Sequence, residues 1–468
     1  MRSDECYDAV IVGAGISGLS TGALLSKKGY KILVLDKKPY IGGRASTIAL
    51  SALINGNSAK FVPEWTAEDV EGEFLNTPIN YGFHVVVPGG FLERLLYEID
   101  VLKDIELKGL DSHVFYFERS NRWIRVPEKI NPRGLLSFYK DLSSELGLSF
   151  REQLRLLRTL VPPLLQDTDI IIDKYKNTST LQFLREIGID RKSVLDFVKV
   201  LSKAYSMMPS LEKHPLCEII VNLKQLVGSL AKKQATMYDV IGGFGQISEK
   251  LKECVEEGGN DIKLNSNVIV LEITGDRIHG VHYTDSSGYT HSVKTENVVF
   301  TGTYHELGRL LRDSGYETEE VESFLNVDPQ LILTLFIGAH NSIFDGKDPS
   351  LLHLFRKGGR NFSVSAEHRC IPGFPFRVYS AYLLDSELTT DDALSCLSSI
   401  FERTGFNKDN IRFVLQVPMI GYGRRRTINR NETIPSIDNL YYVGDSNNYL
   451  TGIEGCVKSA VQLVNENF

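Results

Sequence analysis

Cysteine is scarce in this chain and scattered: six in 468 residues, none in a C-x-x-C pair. That pattern excludes a disulfide framework and a thiolate zinc site, and free thiols suit a reducing compartment. Long apolar runs are missing too, since no stretch reaches the ~20 residues that a membrane-spanning helix needs. The opening segment Met1-Arg2-Ser3-Asp4-Glu5-Cys6 has no apolar signal-peptide core, so a cytoplasmic location is expected. Positive charge is not in excess: 52 Lys and Arg face 59 Asp and Glu, a formal net charge of -7. A nucleic-acid partner is therefore not expected, and the lone cluster Arg424-Arg425-Arg426 does not change that. Internal repeats, low-complexity tracts, Ser-His-Asp constellations and metal-ligand spacings are also missing.

What is present is a globular composition, 42% hydrophobic and 24% charged. Single cores stop growing near ~250–300 residues, so two domains are expected. Residues 8–12 read as a short buried strand, 16–28 as a helix and 31–35 as a second strand. Together they form a strand–turn–helix–strand unit with parallel strands. The turn is Gly13-Ala14-Gly15-Ile16-Ser17-Gly18. Gly13 allows the tight turn, Gly15 lets backbone approach a pyrophosphate, and Gly18 lets the helix pack on the sheet. The helix start at Ile16 and Ser17 aims free N–H groups and a positive dipole end at the phosphates. Asp36 ends the second strand at the ~20-residue offset where a carboxylate accepts from ribose hydroxyls. Lys37 and Lys38 follow; Asp36 beside them would repel a 2′-phosphate, so both read as solvated, with Lys37 counted among the candidate cofactor-binding residues.

Those residues specify a dinucleotide, not which one. Gly42-Gly43-Arg44 adds a close-approach backbone and a fixed cation for pyrophosphate or reduced flavin. At the other end of the chain, Gly444-Asp445 follows an apolar strand and offers a carboxylate to a ribityl hydroxyl. Gly452 and Ile453 then open a helix whose dipole suits the negative charge of a reduced isoalloxazine. The combination points to FAD, with the two chain ends meeting at one cofactor.

Elsewhere the pattern shifts. From about 80 to 235 helical periodicity dominates, and Pro162-Pro163 is expected to interrupt it. The Arg/Leu stretch after 148 reads as a buried amphipathic helix, with a peripheral membrane face as the alternative. Residues 262–272, 277–284 and 298–302 read as strands. Residues 331–338 and 376–383 read as longer strands of mixed polarity, suited to a pocket wall.

Together these segments resemble the flavoprotein superfamily that includes amine oxidases, protoporphyrinogen oxidases and phytoene desaturases. The segment Tyr238 to Ile247, and Val268 on its strand, match the central cofactor segment of that superfamily; the resemblance implies that Val268 packs on the adenine. It also implies an α/β fold: a Rossmann-like FAD-binding domain (about 1–80, 236–305 and 435–468) interleaved with a mixed α+β substrate domain (81–235 and 306–434). The helical block favours the phytoene desaturase branch. The chain departs from the pattern at Asp36, where glutamate is common, at Asn80, where many members carry an acid, and in the polar run Gly444-Asp445-Ser446-Asn447-Asn448.

In this class the flavin carries the redox chemistry and the protein supplies position and electrostatics. Histidine is the side chain whose charge changes near neutral pH, and His84 is the first candidate for proton transfer or substrate orientation, against a structural histidine. Tyr422 and Arg425 precede the C-terminal segment and are expected near the flavin edge or an anionic substrate group, against a solvated loop. Tyr205, Met207 and Met208 read either as the lining of an apolar pocket, since methionine adapts to irregular shapes, or equally as core packing. The expected reaction moves a hydride between flavin N5 and a C–C bond of a largely apolar, isoprenoid-like small molecule, with NAD(P)H or a quinone as electron partner. The alternatives are an amine oxidase acting on a C–N bond, a non-redox FAD-dependent isomerase, and a flavin-free escort of lipidated partners.

Overall fold

The computed structural model describes residues 6–55, 60–61, 70, 72–82, 84–110, 113–127, 132–206, 210–231, 235, 237–327, 331–339, 351–355, 362–365, 377–383, 410–420, 437–447, 450 and 452–468. A five-stranded parallel sheet organises the cofactor half. Its order is Asp261–Lys263, Ile32–Leu35, Ala9–Val12, Val298–Phe300, Leu440–Tyr442. Val10 pairs with Leu33 on one side and Val298 on the other, and Val298 pairs with Leu440. Segments from the beginning, middle and end of the chain are thus direct neighbours.

Strand residues alternate between faces, and a parallel sheet needs both faces covered. Ala9, Ile11, Ile32 and Val34 turn to one core, which contains Leu19 and Ala23 of helix Ile16–Lys27, Leu251 of helix Gly245–Glu257 and Val457 of helix Gly452–Asn467. Val10, Leu33, Val298 and Leu440 turn to the other, with Leu271, Val281 and Leu307. That second core is closed by a four-stranded sheet in the order Cys6–Tyr7, Thr290–Thr295, Arg277–Thr284, Asn267–Thr274, and by helix Tyr304–Asp313. The fold is therefore the α/β arrangement that the sequence implies.

A third sheet holds eight strands among the described residues, with Leu331–Ala339 paired antiparallel to both Arg377–Leu383 and Ile411–Ile420. At its other end His113–Phe117 runs parallel to Leu351–Phe355. Phe115 and Phe355 from these strands pack on Phe197 of helix Lys192–Ser206. His113 and His353 sit side by side here, with ring centroids 4.9 Å apart. Burial lowers the pKa of both, His113 to about 4, so both are neutral at pH 7.

Two expectations for the helical block are corrected. Pro162 and Pro163 do not interrupt the Arg/Leu helix; it runs from Phe150 to Leu164 with both prolines in its last turn. There the helix closes through Leu165 and Gln166 N–H groups donating to the proline carbonyls, so the missing proline donors end it rather than break it. A capping box between Ser149 and Glu152 starts it. Nor is this helix buried: Phe150 is 78% and Leu165 84% exposed. Only its Leu156, Leu160 and Leu164 reach the core. Among the described residues no helix is long and apolar enough to cross a membrane.

Candidate functional site

The site begins where strand Ala9–Val12 meets helix Ile16–Lys27. Gly13 has φ of 113°, and a side chain on it would overlap Thr301 Oγ1. That hydroxyl donates to the Val12 carbonyl at 2.9 Å and pins the turn. A methyl on Gly18 would overlap the Gly13 carbonyl oxygen, so the first turn of the helix lies against the loop. Gly15 is the opposite case: a Cβ there meets nothing within 4 Å. It caps the helix without a side-chain hydrogen bond, and no acid occupies the first turn. Ile16 and Ser17 are buried behind it. The positive end of this helix thus has no acid in its own first turn, and the space beside Gly15 is open. That is the cradle a pyrophosphate needs, and the residues present fit FAD.

Asp36 is tied into the same loop. Its Oδ2 accepts from Ala14 N–H at 2.6 Å and its Oδ1 from Lys38 N–H at 2.8 Å. Burial raises its pKa, against the lowering effect of those two bonds and of Lys37 and Lys38. Each oxygen keeps a second lone pair for a ribose hydroxyl. Lys37 turns away to Glu306, 2.5 Å distant. Ser266 N–H donates to the Asp36 carbonyl at 2.7 Å, which carries half-buried Val268 to this end of the sheet, just before a register shift in its strand.

The Gly42-Gly43-Arg44 turn docks on the loop: Gly42, with φ of 90°, donates its N–H to the Ala14 carbonyl at 2.8 Å. Arg44 Nη2 lies 3.4 Å from both oxygens of Asp445. The guanidinium is partly exposed and the carboxylate buried, so the two ends of the chain meet through a cation and an anion beside the cradle. Gly444 N–H donates to Ser459 Oγ at 3.3 Å, which fixes Asp445 to the C-terminal helix. That helix starts at Gly452, where φ is 62° and a Cβ again meets nothing within 4 Å. Ile453 is buried behind it. Cys456, also buried, has its thiol pushed up to about 12 by burial, so it is a packing residue rather than a thiolate.

His84 is placed beside Arg44, not in isolation. Its Nε2 lies 2.9 Å from the Arg44 carbonyl oxygen. A carbonyl only accepts, so Nε2 carries the proton in this contact. The ring packs on Phe244 at 5.4 Å. A network not foreseen from sequence lies next to it. Asn80 Oδ1 accepts from Thr47 Oγ1 at 2.6 Å and from Phe244 N–H at 3.2 Å, while Thr47 Oγ1 accepts from Gly245 N–H at 2.7 Å. An amide oxygen thus holds the Gly242–Gly245 loop, and the role needs no carboxylate at position 80. The Gly242-Gly243 doublet was the available signal, because a side chain on Gly243 would strike Thr47. Tyr422 and Arg425 lie outside the described residues, as do Met207 and Met208. Tyr205 belongs to helix Lys192–Ser206.

Glu454, in the first turn of the C-terminal helix, is a strongly perturbed acid. It is buried, and its carboxylate accepts from Phe91 N–H and, at 3.4 Å, from Leu92 N–H, so it caps helix Phe91–Glu98. A side chain on Gly90 would collide with it. Burial raises its pKa to about 7, against the lowering by those N–H groups and Arg94.

When bound in such a cradle, FAD supplies reversible hydride transfer. The chain's own residues would then seat the phosphates on the first helix, with Asp36 and Asp445 available to sugar and ribityl hydroxyls and Arg44 and a helix N-terminus available to developing negative charge.

Residues 16–466 match the family described as flavin containing amine oxidoreductase. The chain is 26% identical over 315 residues to an L-amino-acid oxidase of Sistrurus catenatus edwardsii, covering 64% of this chain and 52% of that one. It is 22% identical over 318 residues to guanosine nucleotide diphosphate dissociation inhibitor 2 of Arabidopsis thaliana, covering 66% and 67%. The match thus spans about half the length of the amino-acid oxidase. Among solved structures, an oxidoreductase from Methanosarcina mazei superposes with a TM-score of 0.67 at 15% identity, covering 98% of this chain and 100% of that one; this likeness is one of fold.

Proposed function

The chain belongs to the flavin-containing amine oxidoreductase family, a family of FAD-dependent oxidoreductases, and from that premise we propose that it moves a hydride between flavin N5 and a largely apolar small molecule. One observation carries the substrate class. The apolar core of the helical block, with Ile171, Ile220 and Phe355, extends to Leu450, two residues before the Gly452 helix start. A packed apolar core therefore abuts the segment assigned to the flavin, and the histidines beside it are neutral. A hydrocarbon loses water favourably on entering such surroundings. On this reading the reacting bond is C–C, desaturated or saturated as in the phytoene desaturase branch. Residues 1–80, 236–305 and 435–468 hold FAD and the remainder holds the substrate. His84 positions the Arg44 turn, Tyr422 and Arg425 approach the flavin edge, and the protein works in the cytoplasm with NAD(P)H or a quinone as electron partner.

A second reading, oxidation of a C–N bond, is favoured by the family description and by the similarity to an L-amino-acid oxidase. The similarity to a dissociation inhibitor keeps an escort role as a third; the open cradle at Gly15 speaks for bound nucleotide instead. The deciding experiment is anaerobic. Purified holoprotein is mixed with NADH or NADPH, with isoprenoid and fatty-acyl lipids, and with polyamines and amino acids, while flavin absorption is followed. Bleaching by nicotinamide means a reductase, and bleaching by an apolar lipid means a desaturase. Bleaching by an amine, with peroxide on re-aeration, overturns the C–C reading. A colourless protein that FAD does not reconstitute overturns the cofactor assignment.

A further inference from the structure

Seven of the eleven large apolar side chains that stand out in solvent among the described residues fall between positions 136 and 170. Five of them, Phe150, Leu154, Leu157, Val161 and Leu165, follow one another at spacings of four, three, four and four. Such spacings place them along one ridge of helix Phe150–Leu164 and its C-cap. The neighbouring ridge, Leu156, Leu160 and Leu164, is what the protein core uses. The apolar sector of this helix is therefore wider than its packing requires, and half of it lies in water. Leu157 is 44% and Leu165 84% exposed. Burying a leucine is favourable, so leaving a row of them in water is costly unless something covers it.

The rim of the ridge names the cover. Arg151, Arg155 and Arg158 are all exposed and fall on one side of it, on the solvent half of the helix. Its one acid, Glu152, is turned to Arg191. Tyr139 hydroxyl donates to the Gln153 carbonyl at 3.4 Å, so helix Pro132–Glu145 lies alongside and brings exposed Leu136 and Arg133, on preceding turns, to the same region. A protein of net charge -7 thus carries a local strip that is apolar along its ridge and cationic along its edge. An apolar row seated in acyl chains with arginines at headgroup level is the geometry of an interfacial helix, and long arginine stems reach phosphates from that depth.

We infer that the ridge Phe150–Leu165, with its arginine edge, docks this protein peripherally on an anionic lipid bilayer. The inference does not depend on which bond the flavin oxidises. The face also lies one helical layer from the cofactor segment: helix Thr168–Tyr175 follows the ridge directly, and its Asp169 is bound at 2.8 Å by Lys458 of the C-terminal helix. A lipid-soluble substrate collected at the bilayer would then have a short apolar route inward.

The test is flotation of the holoprotein with vesicles of phosphatidylcholine alone and of phosphatidylcholine mixed with phosphatidylglycerol. The mixed vesicles should carry the protein upward, the neutral ones much less, and added salt should weaken the binding. Leu157→Asp with Leu165→Asp should lower partitioning roughly a hundredfold. Arg151→Glu with Arg158→Glu should lower it roughly tenfold or more on mixed vesicles only. All four sites are exposed, so both variants should keep their flavin absorbance and melting temperature. Binding to neither vesicle overturns the inference, and so does binding that neither double variant changes. A wild-type dimer by light scattering that Leu157→Asp with Leu165→Asp converts to a monomer, without vesicle binding, would assign the face to a second copy of the chain.

Discussion

Replacing Glu454 by glutamine should remove a pH dependence of stability that this one side chain imposes. Its carboxyl is buried against the start of helix Phe91–Glu98, with pKa raised from 4.5 to about 7. In the unfolded chain the same group ionises near its ordinary value. Between about pH 4.5 and 7, then, the folded protein keeps a proton that the unfolded chain releases. Linkage requires stability to fall as pH rises through that window. The rise from 4.5 to about 7 makes the full loss about 3 kcal/mol, complete above pH 7. A glutamine oxygen can still accept from one of the two N–H groups, while its NH2 faces the other; that loss costs a constant amount at every pH. The observable is therefore a slope. Urea unfolding of both proteins at several pH values, taken as variant minus wild type, should rise by about 3 kcal/mol from pH 4.5 to pH 8. A difference that stays flat across the range would refute the buried carboxyl as the source. Glu93 and Arg94, the charged neighbours on the capped helix, remain in both proteins and cancel in the subtraction.

The remaining expectations separate cofactor binding from folding. Gly15→Val should leave the melting temperature of flavin-free protein unchanged, because nothing lies within 4 Å of the new Cβ, yet should abolish retention of FAD through purification, read from flavin absorbance. Gly13→Val, forced against Thr301 at a positive φ, should instead prevent folding or lower stability by several kcal/mol, about 2 or more in thermal unfolding. Asp445→Asn removes a charged acceptor beside Arg44 and should weaken FAD binding roughly tenfold in a fluorescence titration. His84→Gln, whose amide can still donate to the Arg44 carbonyl, should retain more flavin than His84→Ala by a few-fold, about 1 kcal/mol; equal loss in both would count against the positioning role.

How much of this was legible in the sequence differs by element, for physical reasons. The strand–loop–helix at residues 9–27 was legible because its glycines, apolar runs and Asp36 are local signals that no tertiary contact overrides. The pairing of the chain's two ends was legible too, since Gly444-Asp445 and Gly42-Gly43-Arg44 suit one cofactor. The solvent face of helix Phe150–Leu164 was legible only as the alternative to a buried one. An apolar stripe reports that a helix has a hydrophobic side, but a stripe broad enough to serve two partners looks the same as one that serves a core. Nor was Glu454 legible: a glutamate in the first turn of a helix is ordinary near the positive dipole end. Only the fold brings the N-terminus of a helix 363 residues earlier against it.

That last contact gives the cofactor site a property beyond the sum of its segments. The helix carrying Ile453 near Asp445 is the same helix whose next residue caps helix Phe91–Glu98, and whose Lys458 reaches Asp169 of helix Thr168–Tyr175. A ligand that orders the start of this helix therefore acts on all three places through one rigid element. Binding of FAD to the folded chain must stabilise it by an amount set by ligand concentration over Kd, about 2.7 kcal/mol at a hundredfold excess. If the helix is the coupling element, that stabilisation extends to helix Phe91–Glu98. Hydrogen exchange of Leu95 and Leu96 amides should slow when FAD is added to flavin-free protein. Glu454→Ala, which cuts the capping contact but leaves the glycine loop intact, should abolish that slowing while the amides of helix Ile16–Lys27 still respond. Equal protection in both proteins would mean that the two halves respond to the cofactor independently, and that Glu454 is only a cap.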